Sequence, residues 1–181
     1  MNTFYDDLPE AAVTELGLGK TMTTFWSGPS GETVAGEAVA DHLTAAADLL
    51  TDTGWTRTTP PAPQPAPLPA LDEATSVREM LSTIYNVLRT LVDEEQPEAP
   101  QTLSSAICRT QQTHGDPDTA WVGQAVLTAI LRAHTRSLHV SLYAWAEKQH
   151  RSQDQIVQLL LAGAAFARRY GPDTTDTPTA A

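Results

Sequence analysis

Apolar and polar positions alternate along much of this chain with a helical period, so the pattern predicts a helix-rich protein. The first helix is predicted from Thr33 to Thr53, with Val34, Ala38, Leu43, Ala46, Leu49 and Leu50 inward. Thr33 is its candidate N-cap, Gly54 its stop, and Trp55 is expected to fold back onto it. A second helix is predicted from Asp72 to Asp93, with Val77, Met80, Leu81, Ile84, Leu88 and Leu91 as one stripe. Ser76 and Glu79 have capping-box spacing. A helix of about a dozen residues should follow Pro100, turning Leu103, Ala106 and Ile107 inward. Asp116-Pro117 opens the next, because proline at the first helical position loses nothing by lacking a donor. Its expected inner face is Trp121, Val122, Ala125, Leu127, Ile130 and Leu131. Residues 138–148 read as a short helix through Leu138, Leu142, Trp145 and Ala146, although Leu138, Val140 and Leu142 also alternate as a strand would. The last helix carries the strongest signals. Ser152 and Gln155 make a capping box, Ile156, Leu159, Leu160, Gly163, Phe166 and Tyr170 recur at helical spacing, and Gly171-Pro172 ends it. Leu159 to Ala167 is apolar nearly all round, which predicts the central helix.

The expected fold is all-α: a small bundle of five or six helices built around 152–170, with the 33–53 helix docked against it. The expected organisation is an irregular acidic segment over 1–30, a helix ending in Gly-Trp over 31–55, a spacer over 56–71, a helical core over 72–171 and a disordered tail over 172–181. The spacer rests on Pro60 to Pro69, where six of ten residues are proline. Such a run can be neither helix nor central strand and favours extended polyproline II. A partner with an aromatic-lined groove could read it, but a plain spacer is the simpler expectation. Thr23 to Trp26 has the look of a short strand, followed by a Ser27–Gly31 turn.

Charge changes the picture in one respect. The net charge is −11, yet residues 1–55 hold nine acids against Lys20 alone, while 101–170 hold four acids against seven lysines and arginines. A solvated acidic surface explains this most simply. The single cysteine, Cys108, excludes an internal disulfide and with it a disulfide-stapled scaffold. The acidic start MNTFYDDLPE has no signal-peptide pattern, and the longest apolar run, 156–167, is shorter than a membrane span. A cytoplasmic protein with no membrane contact is expected.

Gly17-Leu18-Gly19-Lys20-Thr21 resembles the end of a phosphate-binding loop, but Thr14 stands where the first glycine belongs and no apolar strand precedes it. His134 and His139, or His114 with Asp116 and Asp118, match no strong metal spacing; the two aspartates suit helix capping better. Cys108 has no evident base beside it, so a small buried role is expected. Trp26, Trp55, Trp121 and Trp145 are expected in the core. No cofactor, metal or catalytic residue is expected, which favours a non-enzymatic interaction or regulatory protein with a protein partner. The alternative is a DNA-binding regulator with a helix-turn-helix over 142–160. In that reading Lys148 and Arg151 meet phosphates, while Gln153, Gln155 and Gln158 reach base edges. Two positions depart from that motif: His150 replaces the turn glycine, and Arg151 replaces an apolar residue.

Two stretches carry a family resemblance. Leu43 to Trp55 is an alanine-rich helix closing on Gly-Trp. Ser141 to Trp145 is followed by Arg151-Ser152 and an apolar helix through Val157, Leu160, Ala164 and Ala165. Together they resemble an uncharacterised actinobacterial and actinophage domain family, in which a Trp-Asn-Asp-x-Pro-Gly-Arg-Thr motif precedes the last helix. Here Ala146-Glu147 replaces Asn-Asp and Gln149-His150 replaces Pro-Gly, and the family's cysteine-bearing helix is not evident at 77–88. The resemblance implies the helical architecture and no activity.

Overall fold

The computed structural model describes residues 25–58, 76–93 and 99–173. The proline tract, the phosphate-loop-like 17–21, residues 1–24 and the tail beyond Asp173 lie outside them. Six helices are present among the described residues: α1 (Gly36–Thr53), α2 (Val77–Asp93), α3 (Leu103–Gln111), α4 (Pro117–Thr135), α5 (Leu142–Ala146) and α6 (Gln153–Tyr170). The fold is all-α, as the periodicity predicts. Contacts divide the chain into two compact units, one from residues before 60 and after 99, the other from 60–99, which contributes α2.

The larger unit is held by α1 lying along α6, with α4 packed against both and α3 against α1 and α4. Its core runs through Val39, Leu43, Leu50, Ile107, Leu127, Ile130, Ile156, Leu159, Leu160 and Phe166, all buried. Gly163 of α6 makes room for leucines from α4 and α1. A Cβ there would sit 2.7 Å from Leu127 Cδ2 and 2.9 Å from Leu43 Cδ1. Arg168 joins α6 to Glu37 and Asp41 of α1 at 3.2 and 3.1 Å. These groups are exposed, so the pairs add little to stability.

Helix ends follow local chemistry. Asp116 accepts from the Thr119 N–H at 2.7 Å, with Pro117 first in α4. Ser152 and Gln155 form the capping box of α6, and Ser76 and Glu79 exchange the same bonds at α2. Thr102 and Ser105 make a further box at α3. At α1 the expected cap fails: the helix starts at Gly36 after Ala35, with no side-chain cap. Thr33 instead pairs with Ser27 in an isolated bridge, closing the 27–31 turn. Phe25 and Trp26 form no strand; Trp26 is buried and stacks on Phe166. The expected strand's first half, residues 23 and 24, lies outside the described residues.

Several expected inner positions face out. Ala38 is exposed because the inner stripe of α1 runs through Gly36, Val39, Ala40, His42 and Leu43. Trp121 is 57% exposed, since Ala120, Val122 and Gly123 take the inner face of α4. Leu138 is 69% exposed: α5 begins only at Leu142, capped by Ser141, and no strand forms over 138–142. Cys108 is exposed on α3, whose inner face is Leu103, Ala106, Ile107 and Thr110.

A short tie closes the base of the larger unit. Gln101 N–H donates to the Gly54 carbonyl and Thr56 N–H donates to the Gln101 carbonyl, both at 2.9 Å. Trp55 and Gln101 thus form a parallel bridge. The chain that runs on past Arg57 therefore returns at Pro100 beside the place it left.

Candidate functional site

Three features stand out as places where chemistry or recognition could happen: two clefts on the larger unit and the face of α2.

The first cleft, of about 480 Å³, lies among Trp55, Arg57, Ser104, Tyr143 and Glu147. Arg57 sits 5.6 Å over the Trp55 ring and donates to the Gln149 carbonyl at 2.7 Å. Burial holds the Tyr143 hydroxyl above its ordinary pKa, so it stays protonated. Arg57 and Glu147 bring opposite charges to the lining, and the Ser104 side chain hydrogen-bonds with Tyr143.

The second cleft, of about 380 Å³, is built differently. It lies where α4 ends, where the loop 137–141 crosses, and where α5 turns into α6. Arg136 ends α4 in the left-handed region (φ 52°), which turns the chain sharply into that loop. The walls present Lys148, Arg151, His139, Ser137 and Ser141 over an apolar floor of Val140, Ala144 and Trp145. No carboxylate lines it. The Arg151 guanidinium lies 3.9 Å over the Trp145 ring, a cation–π contact that fixes the plane of the fork. Its Nε is buried and has no acceptor. Nearby His134 is held below the ordinary imidazole pKa, first by burial and then by the charge of Arg151.

The five residues expected to face DNA are not brought onto one surface. Lys148 and Gln158 are exposed. Arg151 is stacked on Trp145. Gln155 is half-buried and completes the capping box of α6. Gln153 spans to the end of α1: its amide donates to the Leu50 carbonyl at 2.8 Å and its oxygen accepts from the Trp55 N–H at 3.3 Å. The aspartates of the 114–118 run also separate. Asp116 caps α4, whereas Asp118 accepts from the Ser30 hydroxyl and the Ser30 N–H. Among the described residues no group of three or more His, Cys, Asp or Glu is placed to hold a metal.

A buried imidazole lies on the inner stripe of α1. His42 is fully buried on α1, and neither ring nitrogen makes a hydrogen bond of good geometry, although the His114 main chain lies beside it. Gly115 and Gly123 leave the room it occupies. The available signal was its spacing three residues after Val39 and four before Ala46, which sets it on the inner stripe.

On α2, Val77, Leu81, Ile84 and Tyr85 are 72%, 62%, 50% and 64% exposed. Four large apolar side chains on one helix are more than the scattered single residues usual on a surface.

No helix among the described residues is long and apolar enough to cross a membrane. No curated protein and no solved structure matches the chain. A family profile does match, over residues 34–166, which begins just before α1 and ends within α6. The chain belongs to that family, a family of unknown function (DUF6197).

Proposed function

We propose that this is a non-enzymatic interaction or regulatory protein, cytoplasmic and of actinobacterial or actinophage origin, that works as a homodimer joined through α2. The observation that carries the reading is the exposed face of α2. Val77, Leu81 and Ile84 follow one another at spacings of four and three. That is the heptad spacing at which one helix presents a continuous seam to another. The same seam on a second copy is complementary to itself, as a two-fold interface requires. A protein partner identical to the chain is therefore favoured over a small molecule.

The alternative, a DNA-binding regulator using 142–160, draws less support. Gln153 and Gln155 are engaged within the fold, which leaves Lys148 and Gln158 as the exposed members of the set. Light scattering during size-exclusion chromatography of the full chain tests the proposal. A dimer is expected, and Leu81→Glu with Ile84→Glu should return a monomer with an unchanged helical spectrum for the larger unit. A wild-type chain that stays monomeric across the micromolar range overturns it.

A further inference from the structure

We infer that the cleft between the end of α4 and the α5–α6 turn binds the phosphate group of a small phosphate monoester. Four observations lead there. The first is the inventory of its walls. Lys148 offers an ammonium, Arg151 a guanidinium, Ser137 and Ser141 hydroxyls and His139 a ring nitrogen, while no carboxylate is present. A lining rich in donors, with two cations and no carboxylate, suits an oxyanion and repels a cation.

The second is the state of the two cations. Among the described residues neither Lys148 nor Arg151 pairs with an acid. The chain as a whole is at −11, and acids outnumber bases two to one. Two cations without an acid partner among the described residues thus converge on one cleft, within the 101–170 stretch that holds seven lysines and arginines against four acids.

The third is the preparation of Arg151. Its ring contact with Trp145 at 3.9 Å holds the guanidinium plane before any ligand arrives. Trp145 is itself buried, so the support is rigid. A fixed fork loses less side-chain freedom on binding than a free one, and this is where arginine outdoes lysine at phosphate. Its Nε, buried and without an acceptor, is a donor that the protein itself leaves unsatisfied.

The fourth is size and floor. About 380 Å³ is within the range of small-ligand sites and well beyond a bare phosphate. Val140, Ala144 and Trp145 provide an apolar floor for a compact body attached to the phosphate. Thr135, although on the rim, donates its hydroxyl to the Leu131 carbonyl at 2.7 Å and adds no free donor. The site rests on residues other than the α2 seam, so its failure would not touch the dimer, nor the dimer's failure the site.

The test is an amide-resolved NMR titration of the full chain with inorganic phosphate, phenyl phosphate and a short DNA duplex, each against sodium chloride at matched ionic strength. Saturable shifts confined to residues 135–151 are expected with both phosphates, with phenyl phosphate the tighter. Lys148→Ala should weaken both by about tenfold, the effect of losing one charge-assisted bond. Lys148 is exposed, and its main-chain bond to Arg151 survives the substitution, so this variant should keep its melting temperature. Arg151→Lys keeps the charge but loses the fork and should weaken binding by a similar factor. Shifts that match chloride or never saturate overturn the inference. So does a Lys148→Ala chain that binds as the wild type does. Shifts that appear with the duplex alone also overturn it and return the basic residues to a polynucleotide role.

Discussion

Gly36 and Gly171 meet main chain to main chain, so that a Cβ on Gly171 would lie 2.3 Å from Gly36 Cα. The first residue of α1 is thereby pressed against the residue that ends α6, and Gly36 N–H donates to the Pro172 carbonyl at 2.9 Å. Neither glycine has a positive φ; space alone requires them here. The atoms opposite are backbone, which cannot rotate away. Gly36→Ala should therefore destabilise by about 2–3 kcal/mol despite the better helix propensity of alanine. A fall in melting temperature of roughly 5–10 °C is the expected reading. An unchanged melt would mean that the two helix ends are not in contact in solution.

Gln153 should matter to stability more than to recognition. It bridges the carbonyl of Leu50 and the N–H of Trp55, fastening the start of α6 to the end of α1. Gln153→Ala should cost about 1–2 kcal/mol, whereas Gln158→Ala, on the exposed face of the same helix, should cost almost nothing. Urea unfolding of the two variants makes the comparison. A reversed order would revive the DNA reading of this segment.

Acid should weaken the fold through His42. Burial disfavours its imidazolium, so its pKa in the folded chain lies below the ordinary 6.5. The unfolded chain then takes up a proton that the folded chain refuses. Stability is complete above pH 6.5 and declines as pH falls below it, by at most about 1.4 kcal/mol per pH unit for one group. His134, also lowered, adds to the slope in the same direction. The charges facing His42 come from His114 and Asp116, and the latter partly offsets the effect of burial. His42→Leu should reduce the slope between pH 6.5 and 5 and leave the part due to His134. Equal slopes for the two chains would show that His42 reaches water.

The bridge between Trp55 and Gln101 predicts that the segment between them is dispensable to the larger unit. Replacing residues 59–99 with a short Gly/Ser linker should preserve its cooperative unfolding, because both ends of the excursion are already fastened together. Under the proposed function, the shortened chain should also be monomeric. Loss of cooperative unfolding would show instead that the segment helps to hold the bundle.

What the sequence could show was what neighbours in sequence decide. Asp116 with Pro117, and Ser152 with Gln155, are visible as caps because donor and acceptor lie three residues apart or fewer. Gln153 sits inside the same motif, but its partners are 103 and 98 residues away, so nothing local announces them. Periodicity found the apolar face of α2 but could not say what, if anything, covers it. It also misjudged Trp121, because a large ring counts heavily in any apolar stripe while the small Ala120 and Gly123 beside it do the packing. The basic cleft was half legible. Lys148 and Arg151 suit phosphate by residue type alone, but Ser137 and His139 join them in one cleft only because the chain turns at Arg136.

The tie at Gln101 also bears on how the chain folds. Leu50 and Gln153 must find one another across 103 residues, much of that distance being the excursion between residues 58 and 100. Closing a loop grows costlier only with the logarithm of its length, so removing the excursion would ease this step by about 0.5 kcal/mol. Once Gly54, Thr56 and Gln101 have paired, even that difference disappears, because the path from α1 to α3 is then effectively short. Changes of length or sequence between those anchor points therefore cost the bundle little, and that stretch is free to diverge without refolding the rest.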